Sequence, residues 1–176
     1  MFFQIELNFA QFIGGLSFII GVITFCQKDD KKFKCYMLLL FFCQTAHYFL
    51  LGAQTSAVSS LINFLRTLVA TKINSFYVAL FFVMLNVLFG IFYTVNNAST
   101  VSVFFPIIAA SIGTLALFCL QGIQMRLALL VGSVLWLCNN IIVGSIGGIM
   151  LETMVILINI STMIRLRRDN GKKAMN

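Results

Sequence analysis

Seven apolar stretches, at about 5 to 26, 36 to 52, 55 to 73, 76 to 94, 101 to 120, 126 to 143 and 147 to 166, take up nearly all of this 176-residue chain. Each is of the length a helix needs to cross the hydrocarbon layer of a bilayer, about 20 apolar residues. The segments between them are short and rich in turn formers: Gln27 to Lys34, Gly52 to Thr55, Asn74-Ser75, Asn96 to Thr100, Gln121 to Gln124 and Gly144 to Gly148. A chain that is 60% hydrophobic, with a mean hydropathy of +1.00, could not hide that surface in a single soluble core. The expected fold class is therefore an all-α integral membrane protein, one membrane domain over 1–176 with seven transmembrane helices. Met1 to Gln11 holds Glu6 and neither Lys nor Arg, so the first stretch reads as a retained helix rather than a cleaved signal peptide.

Charge then gives direction. The formal net charge is +7, but the basic residues sit in short loops and one tail instead of covering a solvated face with interleaved aromatics, which argues against a nucleic-acid partner. Lys28, Lys31, Lys32 and Lys34 follow the first stretch, Lys72 ends the third, Arg126 opens the sixth, and Arg165, Arg167, Arg168, Lys172 and Lys173 follow the seventh. With an odd number of crossings, all the basic residues but Arg66 fall on one side. Because basic residues are retained in the cytoplasm, the expected topology is N-terminus outside and C-terminus inside, with 168–176 a basic cytoplasmic tail.

A weak internal repeat adds grouping. Shifting the chain by 92 residues lays Cys35 to Ala70 without a gap over the stretch ending at Thr162; Gly21 then meets Gly113, Gly52 meets Gly144, and His47 meets Asn139. The expected arrangement is 3+1+3: two parallel three-helix repeats, 5–73 and 101–167, joined by an inverting helix at 76–94.

Ionisable side chains inside a span cost several kcal/mol and need a partner or a wet cavity. His47, Arg66 and Glu152 are the three here. Helical spacing on the third span places Ser56, Ser59 or Ser60, Asn63 and Arg66 or Thr67 on one stripe, and on the seventh Gly148, Glu152, Val155, Asn159 and Thr162. Two such stripes facing one another would make a polar cavity with Arg66 and Glu152 as charged walls and Asn63 and Asn159 as a hydrogen-bonding pair. The same residue types also hold membrane helices together without any ligand, and that reading stays open. His47 and Glu152 are candidates for proton titration, His47 being equally able to serve as a plain donor to a carbonyl. Trp136 and Asn140 share a helical face suited to stacking on a solute. Pro106, the only proline, is a candidate hinge in the fifth span. Gly14-Gly15, at the corresponding depth of the first unit, reads as a close-packing site. The five cysteines, Cys26, Cys35, Cys43, Cys119 and Cys138, form no CxxC spacing and read as small apolar fillers of helix interfaces. No HExxH, no DxxD pair, no Ser with a His and acid at a known spacing and no glycine-rich phosphate loop occur, so no catalytic residue, metal or cofactor is assigned.

Several of these stretches together resemble the YgjV family of bacterial inner-membrane proteins (Imp-YgjV): Gly21 to Phe25, His47 to Gly52, Asn63 to Leu68, Ala116 to Cys119, Gly122 with Met125-Arg126, Trp136 with Asn140, and Gly144 to Gly148 followed by Glu152. The resemblance implies a multi-pass protein of the bacterial inner membrane. More distantly the chain is similar to SWEET and PQ-loop carriers, whose two parallel repeats hold a substrate site between them. It departs from them in having no Pro-Gln motif and no proline on three of the four helices where such carriers place hinges. The expected function is a carrier of a small polar or anionic solute by alternating access, with Asn63, Arg66, Trp136, Asn140, Glu152 and Asn159 lining the site. The alternative is a non-transporting membrane scaffold or sensor. Expected partners are the lipid bilayer and a small solute; a homo-oligomer is compatible with the sequence.

Overall fold

The computed structural model describes residues 9–97 and 104–175, with side chains over 9–93 and 104–169. These residues form seven α-helices: α1 (Phe9–Cys26), α2 (Asp30–Leu50), α3 (Gln54–Ala70), α4 (Phe76–Asn97), α5 (Phe104–Cys119), α6 (Gly122–Val143) and α7 (Ile146–Met175). Among the described residues there is no strand. Over the described residues four of the helices, α1, α4, α6 and α7, are long and apolar enough to cross a membrane, and the described part of α5 is apolar. Large apolar side chains such as Phe12, Phe49, Tyr77, Phe92 and Ile164 point outward. In water such a surface would be untenable; against lipid it is the ordinary exterior.

The helix ends follow local chemistry. Asp29 caps α2, its carboxylate accepting from the Lys32 N–H at 2.9 Å, and those hydrogen bonds from the first turn hold its carboxyl below the usual aspartate range. The cap starts α2 at residue 30, so most of the charged loop expected at 27–34 is the helix's first turn. Gly144 ends α6 at φ 69° and Gly52 turns the chain between α2 and α3 at φ 71°, left-handed conformations that favour glycine. Arg126, expected to open the sixth helix, lies in its second turn. The last helix runs through the basic segment to residue 175 rather than ending near 166, because Arg165 to Arg168 are helix formers with no proline to stop them. Lys28 pairs with Asp169 at 2.6 Å, tying this extension to the α1–α2 connection. The expected starts of the first and fifth spans, at 5 and 101, lie outside the described residues.

The helices are arranged as a ring. α1 packs on α2, α2 on α3, α3 on α5, α5 on α6, α6 on α7 and α7 on α1, while α4 lies outside the ring against α3 and α5. These neighbour relations are unchanged when α1, α2 and α3 are exchanged for α5, α6 and α7. Phe33, Met37, Leu117, Met125, Leu151 and Val155 are buried in one apolar cluster inside the ring.

α1 and α7 approach closely because both bring glycine to the contact. A Cβ at Gly147 would lie 2.8 Å from the Gly14 carbonyl carbon and 2.9 Å from its Cα, and a Cβ at Gly14 would meet the His47 ring at 2.8 Å. Nothing lies within 4 Å of a Cβ at Gly15. Gly147→Ala should therefore cost about 1–3 kcal/mol by forcing backbone apart, read as a lowered thermal midpoint of the detergent-solubilised protein. Gly15→Ala, by the same measurement, should not lower it.

Candidate functional site

Both sequence stripes are buried. On α3 the buried residues include Ser56, Ser59, Ser60, Asn63, Arg66 and Thr67, and on α7 they include Gly148, Glu152, Val155, Asn159 and Thr162. In the ring α3 and α7 stand across from one another, three places apart in either direction. Arg66 and Glu152 line one internal cavity of about 40 Å³, to which all six ring helices contribute: Phe25 from α1, Phe41 and Gln44 from α2, Arg66 from α3, Gly113 from α5, Ser133 and Trp136 from α6, and Glu152 from α7. That volume suits roughly three water molecules.

Arg66 is 2% exposed. Its Nε donates to Asn63 Oδ1 at 2.8 Å and its guanidinium stands 5.6 Å from the Phe41 ring centroid. Gly113 makes room for it: a Cβ there would be 3.0 Å from Arg66 Nη2. Nη1 has no protein hydrogen-bond partner. Glu152 is 6% exposed, with Ser133 hydrogen-bonding its carboxylate. Arg66 and Glu152 share the cavity, yet among the described residues neither makes an ion pair.

A polar layer closes the cavity at the end away from the basic residues. Trp136 stacks on Tyr48 with ring centroids 5.8 Å apart and planes 13° from parallel, and the Tyr48 hydroxyl donates to Asn140 Oδ1 at 2.7 Å. Trp136 thus lines the cavity while Asn140 acts behind it. His47 Nδ1 lies 2.7 Å from the Ala10 carbonyl and Nε2 lies 2.8 Å from Ser145 Oγ. A carbonyl can only accept, so Nδ1 carries the hydrogen, and Ser145, which accepts from the Gly148 N–H at 3.0 Å, donates to Nε2. Both ring nitrogens of His47 are used, and the ring does not line the cavity. Asn139 Nδ2 donates to Ser56 Oγ at 3.0 Å, joining α6 to α3 as His47 joins α2 to the start of α7.

Two expectations change here. Asn63 and Asn159 do not pair: Asn63 serves Arg66, whereas Asn159 donates to the Arg126 carbonyl at 2.8 Å, nearly two turns below Glu152 and outside the cavity lining. The shared stripe was legible, but its depth put Asn159 at the basic end. Pro106, the candidate hinge, is buried in α5, two residues after the first described residue of that helix. Of the cysteines only Cys43 is buried; Cys26, Cys35 and Cys119 are exposed and Cys138 half-buried, so the interface-filling reading applies fully to one.

The basic end holds a residue that its position made look like loop charge. Arg126 is fully buried, 3.8 Å from the Phe33 ring centroid, donating through Nη2 to the Gln27 carbonyl at 3.0 Å and lying 3.8 Å from Asp30 Oδ1. Asp30 Oδ2 accepts from the Gly122 N–H at 3.2 Å. The carboxylate in the first turn of α2 therefore holds the start of α6. The signal in the sequence was Asp30 itself, one of two acids among four lysines. Beside this seam, between α2–α3 and α5–α6, runs a cleft of about 390 Å³ lined by Lys31, Lys34, Thr71, Asn74 and Gln121 among others. Asn86, a buried polar residue midway along α4, donates to the Ile107 carbonyl at 3.0 Å and accepts from Ser59 at 3.1 Å, fixing α4 to the ring. Among the described residues no group of three or more His, Cys, Asp or Glu side chains could hold a metal ion.

The Imp-YgjV family, described as bacterial inner membrane protein, matches residues 8–170 of the chain. The inner membrane protein YgjV of Escherichia coli (strain K12) is 31% identical over 159 residues, covering 90% of this chain and 85% of that protein. No solved structure matches.

The Tyr48 to Asn140 bond joins two elements of the ring through buried atoms. Tyr48→Phe removes the donor and leaves the amide oxygen unpaired, so it should cost about 1–3 kcal/mol. Tyr36→Phe, at an exposed hydroxyl, should leave the thermal midpoint in detergent unchanged.

Proposed function

The chain belongs to the Imp-YgjV family of bacterial inner-membrane proteins, and from that premise we propose that it is a carrier of a small polar or anionic solute rather than an enzyme. In this reading all seven helices cross the membrane, α1–α3 and α5–α7 are two units that rock about the cavity between them, and α4 is the inverting link. The observation that carries it is a single one. Arg66 and Glu152, from the third helix of each triplet, meet at one cavity without pairing to each other.

Three further features support it. The helix contacts are the same for both triplets. The cavity is lined from both, and the 390 Å³ cleft at the basic end follows the same seam, a natural vestibule on the cytoplasmic side. A guanidinium with a free Nη1 in a site walled off from bulk water suits a carboxylate or phosphate group by charge-assisted hydrogen bonding. The basic end faces the cytoplasm in this reading, with the N-terminus outside.

Counterflow of labelled solutes into proteoliposomes tests the carrier reading. A preloaded polar or anionic solute should draw in its labelled form, and Arg66→Gln should cut the initial rate at least tenfold while the protein still elutes as a single species in detergent. No counterflow with a broad solute panel would instead favour a scaffold or sensor role. For the topology, a C-terminal fluorescent-protein fusion in bacteria should glow and a C-terminal alkaline phosphatase fusion should be inactive; the reverse result would invert the orientation.

A further inference from the structure

Opposite charges that share a low-dielectric cavity ordinarily neutralise one another, because each is costly to bury alone. Arg66 and Glu152 do not. The guanidinium is held from one side by Asn63 Oδ1 at 2.8 Å and stands over the Phe41 ring, while Glu152, on the helix across the ring, rests beside Ser133. What the two walls lack is complementary: Arg66 Nη1 is a donor with no protein acceptor, and the Glu152 carboxyl group has no cationic partner among the described residues.

We propose that this cavity binds a small zwitterion, a compact amino acid of the bulk of glycine, with its carboxylate on Arg66 and its ammonium on Glu152. The proposal rests on the carrier reading and names the solute class. A simple anion would satisfy Arg66 but would leave the Glu152 carboxyl group without a cation. A simple cation would meet the converse, and a neutral polyol would leave both charges without a counter-charge. A zwitterion compensates both and carries no net charge, so that the occupied cavity is electrically balanced as the units rock. Size points the same way: about 40 Å³ suits roughly three waters, close to the few heavy atoms of the smallest amino acid. Gly113 and Gly132 in the α5–α6 wall supply what room there is, and the stacked Trp136 and Tyr48 rings bound the site away from the basic end.

The test uses the full chain in proteoliposomes preloaded with unlabelled glycine. Labelled glycine should enter by counterflow. Added outside at equal concentration, alanine should inhibit its entry at least tenfold more strongly than glycolate, methylamine or glycerol. Glycine should also raise the thermal midpoint of the detergent-solubilised protein where acetate does not. Glu152→Gln should lower glycine counterflow at least tenfold and abolish the preference over glycolate, and Arg66→Lys should keep part of the activity. If glycolate or glycerol exchanges as well as glycine in the unaltered protein, the zwitterion assignment falls and the carrier reading stands. If no solute of any of the four charge classes exchanges or stabilises, both fall. Glycine exchange unchanged by Glu152→Gln in a variant with an unaltered thermal midpoint would likewise overturn the assignment, and the competition panel on the unaltered chain decides the matter if that variant does not fold.

Discussion

Inside the hydrocarbon layer there is no water to complete a hydrogen bond, and every buried polar group must find its partner in the protein. Most of the ring's architecture follows from that. At the end away from the basic residues, His47, Ser145, Tyr48, Asn140, Asn139 and Ser56 are matched across helices at 2.7–3.0 Å. At the basic end Arg126, Asn159, Thr162 and Asp30 are bound chiefly to backbone carbonyls and amides exposed where α1 stops and α6 starts. Apolar packing between helices would be indifferent to register, since lipid tails offer the same contacts. These polar pairs are not indifferent, and they fix which face of each helix looks inward.

Arg66 and Glu152 lie between the two polar layers and, among the described residues, form no ion pair. Asn63, Phe41 and Ser133 orient the charged groups without neutralising them. Membrane proteins retain uncompensated charge only where something other than packing requires it. Both side chains line one cavity to which all six helices of the ring contribute.

The sequence made the helices legible because hydropathy is a coarse, local quantity: all seven expected stretches overlap their helices over most of their length, and three of the connections carry a glycine with positive φ, Gly52, Gly122 and Gly144. The inward faces of α3 and α7 were legible too, since helical periodicity exposes a polar stripe whatever it faces. Partners were not. Asn159 shares a stripe with Glu152, but a stripe says nothing of depth, and nearly two helical turns place its amide against Arg126 rather than Asn63. Arg126 was misjudged for the related reason that a basic residue near a span end resembles topogenic charge, when here an aromatic ring and a carbonyl draw it inward. Tyr48 and Gln44 left no mark at all: a tyrosine and a glutamine in an apolar run acquire meaning only once Trp136, Asn140 and the cavity are brought to them.

The 92-residue shift carries a consequence beyond grouping. Tyr48 and Asn140 are matched by it, as are Asp30 and Gly122, and in the folded chain each matched pair is in direct contact. Residues related by a two-fold operation touch one another only close to its axis. One such pair lies at each end of the ring, and the cavity lined by Arg66 and Glu152 lies between them. In each pair a donor on one helix meets an acceptor on the other: the Tyr48 hydroxyl of α2 with the Asn140 amide oxygen of α6, and the Gly122 N–H of α6 with the Asp30 carboxylate of α2.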